Sequence, residues 1–167
     1  MAEPKARVVL LGASNVTRGA VTLVEMARRT VAGPVEFLIA MGHGRSYGAR
    51  STVLGRSLPG IAECGLWEAL RRGRELPTYA LVTDIGNDVI YGAPVDAIAG
   101  WVRTCLDRLA ARQARTVLSL LPMDSLRRLS PWRFHAARSL LFPGRRMSLP
   151  ECLAAAQQLD EDRKSVV

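Results

Sequence analysis

Lysine is nearly missing from this chain. Lys5 and Lys164 are the only two, so arginine carries almost all of a net charge of +8. Aromatic residues are also scarce, at 5%. They are not interleaved with the arginines as base-stacking platforms would be. The local clusters Arg71-Arg72-Gly73-Arg74, Arg127-Arg128 and Arg145-Arg146 therefore read as solvated helix faces and loops, and no nucleic-acid partner is expected. Histidine occurs twice, as His43 and His135. A metal site would have to rely on clustered carboxylates, which the sequence does not show, so no metal or other cofactor is implied. The three cysteines, Cys64, Cys105 and Cys152, are odd in number and contain no C-x-x-C pair. They read as free buried or half-buried thiols. No apolar run approaches the roughly 20 residues of a membrane span. The Val8–Leu11 run is shorter than the about 7–15 residues of a signal-peptide core. Cytoplasmic location is the resulting expectation.

What is present is a globular composition. Hydrophobic residues make up 49% of 167 residues, which suits one domain with a real core. Short apolar runs alternate with segments of helical period. Residues 7–12 (RVVLLG), 35–41 (VEFLIAM), 79–83 (YALVT) and 116–121 (TVLSLL) are short and nearly continuous, as strands buried on both faces are. After the first comes a polar turn, residues 13–17, and then a helix over 18–30. After the second comes a loop, residues 42–55, rich in Gly, Ser and Arg, followed by helix within 58–72. After the third comes a polar loop, residues 84–94, and then a strongly periodic helix over 95–112. Beyond the fourth lies a less regular stretch, 123–146. Ser148, with Glu151 three residues on, then opens a last helix as a capping box that runs toward Asp162. Strand, loop and helix repeated four times predict an α/β fold with a parallel sheet between helices.

In such sheets ligands bind beyond the carboxyl ends of the strands. Three loops stand there, carrying Gly12-Ala13-Ser14-Asn15, Gly42-His43-Gly44-Arg45-Ser46 and Gly86-Asn87-Asp88. Taken singly, each has a local explanation. Ser14 can cap a helix, the glycines can make a turn, and Asn87 and Asp88 can cap the chain locally. Together, at one edge of one sheet, they make an acyl-transfer site. Ser14 is its nucleophile, and its own N–H, a glycine N–H and the Asn87 amide are donors for an oxyanion. Glycine suits the second position because no Cβ obstructs the approach.

The three segments resemble the first three sequence blocks of the SGNH (GDSL-like) serine hydrolases. The likeness covers roughly residues 7 to 150. It implies a three-layer α/β/α fold with a flavodoxin-like parallel sheet, and a small-molecule ester or acyl substrate. It also implies Ser14 as nucleophile and Ser14, Gly44 and Asn87 as the oxyanion hole. Gly42 competes with Gly44 for the second donor. Ile85 stands where the block G-x-N-D has its first glycine, with Gly86 one place later.

The family's D-x-x-H, which supplies the base, has no counterpart. Ala40 and Trp132 precede His43 and His135 by three. The sequence reading is of a chain truncated or frame-shifted before its last strand, leaving residues 116–121 with an open edge or a partly exposed face. His43 reads as an exposed or substrate-contacting loop residue and His135 as a packing or surface residue. Two other functions compete: a binding module that keeps the pocket without the reaction, and a nucleotide-binding Rossmann-like domain. Against the second, the first strand–helix turn lacks G-x-G-x-x-G, and no G-x-x-x-x-G-K-[ST] occurs.

Overall fold

The computed structural model describes residues 2–53, 55–142, 144 and 146–164. Strand β1 (Ala6–Leu11) is buried along its whole length, as a continuous apolar run requires. It leads into helix α1 (Ser14–Thr30), then β2 (Val35–Ala40). A hairpin of β3 (Ser51–Val53) and β4 (Arg56–Leu58) follows, then a short 3₁₀ turn, Ile61–Glu63, and α2 (Leu66–Arg72). The second half runs β5 (Thr78–Val82), α3 (Gly86–Ile90), α4 (Val95–Ala110) and β6 (Arg115–Leu118). It closes with α5 (Met123–Arg127), α6 (Pro131–Leu141) and α7 (Leu149–Lys164).

The main sheet has the order β2-β1-β5-β6, with every pair parallel. Its register aligns Leu11 with both Ala40 and Val82, so the carboxyl ends of three strands reach one level. Side chains alternate between the faces. Val9, Leu11, Ala80 and Val82 join the stripe Ile98, Val102, Cys105 and Leu109 of α4, along with buried residues of α7. Val8 and Leu10 pack with Val16 beneath Leu23 and Ala27 of α1. The layers are therefore α/β/α, with α1 on one face and α2, α4 and α7 on the other.

Several local expectations change. Helix α1 begins at Ser14, so residues 13–17 are not a free turn; the reason lies in a side chain from β5, described below. The loop expected over residues 42–55 contains β3 and extends into the hairpin, whose strands pair Thr52 with Ser57. Helix within 58–72 is confined to the 3₁₀ turn and α2, because the chain is extended at Cys64 (ψ 162°). The polar loop after β5 winds into α3, and the stretch 123–146 into α5 and α6. The capping box is present: the Ser148 N–H and hydroxyl both donate to Glu151 Oε2 at 2.7 Å. Nor are all arginines solvated. Arg7 is 1% exposed; its Nε donates to Glu36 Oε2 at 2.5 Å and its Nη2 to the Arg74 carbonyl at 2.9 Å.

All three cysteines are free and buried, and burial pushes the Cys105 thiol up to about 12. Among the described residues no helix is long and apolar enough to cross a membrane.

Strand β6 is an edge strand that ends at Leu118, three residues sooner than expected, as Leu121 turns into the core. On the α1 side, Met26, Tyr79 and Val117 border an open groove of about 860 Å³, and Val117 is 64% exposed. Two substitutions separate this face from the core. Leu109→Ala should cost about 2–5 kcal/mol, as buried leucine truncations do. Val117→Lys should change stability by less than about 0.5 kcal/mol and should lower anilinonaphthalene-sulfonate binding and self-association. Urea titration and light scattering check both; a large loss for Val117→Lys would mean that the groove is filled in solution.

Candidate active site

The start of α1 is held by a residue from another strand. Asp84, just after β5, points its carboxylate at the first N–H groups of the helix. Oδ2 accepts from the Ala13 N–H at 2.7 Å, the Asn15 N–H at 3.0 Å and the Val16 N–H at 3.3 Å. Oδ1 accepts from Asn15 Nδ2 at 2.6 Å. A helix N-terminus has orphan donors and a positive dipole end, so a carboxylate belongs there. No side chain caps α1 from its own N-cap, Ala13, so Ser14 is not the cap. Asp84 sits at φ +63°, a left-handed conformation that Asp and Asn tolerate better than most residues.

Asp84 takes the N–H groups on either side of Ser14 and leaves that of Ser14 out. Within the described residues neither the N–H nor the hydroxyl of Ser14 has a protein partner. Both remain available to a ligand. The Asp84 oxygens already accept four hydrogen bonds, none of them from Ser14.

The loop after β2 is held with equal care. The Tyr47 hydroxyl donates to the Thr83 carbonyl at 2.7 Å, with the Leu11 carbonyl a second acceptor at 3.3 Å. Complete burial raises its phenol pKa well above the ordinary value, so it stays a donor. Asp88 is buried and accepts the Ser46 hydroxyl and, at 2.9 Å, the Tyr47 N–H. Burial raises its pKa, while those bonds pull the other way. Arg45 is also buried; it reaches the carbonyls of Met41 at 3.2 Å and Pro59 at 3.1 Å.

Ser14, Asn87 and Asp84 line one cavity of about 400 Å³ beyond the carboxyl ends of β1 and β5. Asn87 Nδ2 makes only a long bond, 3.4 Å, to the Arg45 carbonyl. Gly44 is not among the residues lining this cavity. It is buried at φ +61°, and its carbonyl accepts the Tyr91 hydroxyl at 2.7 Å. A Cβ there would meet Val53 Cγ2 at 2.6 Å. Gly42 is also crowded, since a Cβ there would collide with Leu58. Its carbonyl closes a turn with the Arg45 N–H at 3.1 Å.

Neither histidine lines the cavity. His43 is an exposed loop residue, and His135 is exposed on α6 beside Phe134. Cys152 does line it, but burial raises its thiol pKa and keeps it a neutral wall group. Among the described residues no group of three or more His, Cys, Asp or Glu could hold a metal ion. Asp84 and Tyr47, which hold the backbone around the cavity, are the residues that sequence reasoning missed. The only signal for Asp84 was an acid standing alone at a strand end.

The cross-strand cap can be tested by substitution. Asp84→Ala should cost about 2–4 kcal/mol, since it orphans several N–H groups and places a Cβ residue at positive φ without a compensating bond. Asp84→Asn keeps an acceptor and tolerates the backbone, so it should cost about 1 kcal/mol. Chemical denaturation measures both, and equal, near-zero losses would show that the cap contributes nothing.

No protein-family model matches the chain, and no curated protein matches it. A solved crystal structure is similar in fold. It has a TM-score of 0.57 at 14% identity, covering 96% of this chain and 78% of its own. At that identity the likeness speaks for the α/β/α fold alone.

Proposed function

We propose that the chain is a serine hydrolase of the SGNH type, acting on a small-molecule ester or acyl compound. Cytoplasmic location remains part of this reading. The observation that carries it is the free N–H and hydroxyl of Ser14 in a cavity shared with Asn87. In the reaction, Ser14 Oγ attacks the carbonyl carbon while Ser14 N–H and the Asn87 amide hold the oxyanion; Gly44, expected as a third donor, does not line the cavity. The alcohol leaves with a proton, and water then cleaves the acyl-serine to the acid. The proton released from Oγ needs an acceptor, and no histidine lines the cavity. Serine stays a weak nucleophile without one, so turnover by this chain should be slight.

The same absence favours a second reading, a binding module that holds an acyl ligand without cleaving it. Incubation with p-nitrophenyl acetate separates the two. The hydrolase reading expects slow acetylation of Ser14, found by peptide mass spectrometry and lost in Ser14→Ala. Asn87→Ala should slow it by roughly 100- to 1,000-fold, as loss of one oxyanion donor does. Added imidazole, a small external base, should raise the rate in a Ser14-dependent way. Turnover that survives Ser14→Ala would refute the nucleophile. Robust turnover lost in both Ser14→Ala and His43→Ala would make His43 the base.

A further inference from the structure

Two unlike sets of residues line the cavity at Ser14. Its polar groups, Ser14, Asn15, Thr83, Asp84, Asn87 and Ser119, all come from the ends of β1, β5 and β6 or the residues just beyond them. The remaining wall is apolar and is built by three helices, the residue before α3 and the chain after β6. It includes Val89 and Ile90 of α3, Leu121, Leu126 of α5, and Cys152 and Ala156 of α7. Cys152 and Ala156 stand one turn apart on a single face of α7 and are 3% and 2% exposed. They form a buried floor. Among the described residues Asp84 is the one charged residue that lines the cavity, and the start of α1 already engages it.

We infer that this apolar wall bounds an acyl-chain chamber, and that the preferred ligand carries a straight aliphatic acyl group with its carbonyl at Ser14. This rests on the acyl-transfer reading of Ser14 and names its substrate class. A sugar or a charged acyl group would lose its hydrogen bonds to water and find no partner on these walls. An alkyl chain loses nothing and gains the burial of each methylene. The volume of about 400 Å³ lies in the range of small-molecule sites, roughly 300–1,000 Å³. Small side chains at Cys152 and Ala156 set the depth: larger ones there would fill the floor.

The test uses the Ser14→Ala chain, so that hydrolysis plays no part, and neutral primary amides from acetamide to decanamide as probes. Affinity should rise about fourfold per methylene and then level off when the chamber is full. Bound longer amides should slow the reaction of Cys152 with methyl methanethiosulfonate, located by peptide mass spectrometry. Ala156→Leu should move the plateau to shorter chains and Leu126→Ala to longer ones; the second variant serves if the first does not fold. Affinities that are flat with chain length, or amide binding that leaves Cys152 unprotected, would overturn the proposal. Chain-length-dependent binding without any Ser14-dependent turnover of esters would leave the chamber standing and remove the hydrolase reading. Ser14-dependent turnover indifferent to acyl length would do the reverse.

Discussion

The carboxylate of Asp84 at the start of α1 is the constraint on which the rest of the site depends. A helix that begins immediately after a buried strand brings several N–H groups to one point with no partners in their own segment. Asp84 supplies those partners from the neighbouring strand, and in doing so joins the ends of β1 and β5. It also makes a selection. By satisfying the N–H groups of Ala13, Asn15 and Val16 it leaves Ser14 as the residue with bonding capacity to spare. The same carboxylate that holds the helix start therefore leaves the Ser14 N–H facing the cavity without a protein acceptor.

Around this point the second and third loops are fixed by buried polar groups, each with its partners. Tyr47 spans the ends of β1 and β5. Asp88 ties α3 to the loop that carries Gly44, and Arg45 closes that loop on itself. Buried polar networks of this kind cost stability when incomplete and impose one arrangement when complete. The loop geometry is thus set by the fold and does not wait for a ligand. This is the condition for oxyanion donors to lower a barrier without first reorganising.

The framework was legible in the sequence because its signals are local. The apolar runs of β1, β2 and β5 lie within a residue of where they were expected. The stripe Ile98, Val102, Cys105 and Leu109 marked α4, and Ser148 with Glu151 marked the start of α7. What escaped were features created by distant partners. The start of α1 was misplaced because its cap lies up to 71 residues away, and no window around Ser14 contains it. No local signal marks how Arg7 and Arg45 are satisfied, since they are buried on carbonyl and carboxylate partners that only the fold supplies. Ser14 and Asn87 were found by the rule that ligands sit at strand ends, which is a topological signal. That rule could not separate Gly42 from Gly44, since both lie in one tight turn.

The Tyr47 bridge makes the hold on its loop conditional on the sheet. Its hydroxyl reaches carbonyls 36 residues away on either side, Leu11 and Thr83, while Asp88 reaches Ser46 across 42. Contacts this far apart along the chain bear loop-closure entropy before they return any stability. Both Tyr47 acceptors become neighbours only once β1 and β5 have paired. The lock on the loop therefore depends on that parallel pairing. The part of the protein with the most buried polar contacts is held by partners that only the assembled sheet brings within reach, so its stability is tied to the sheet's.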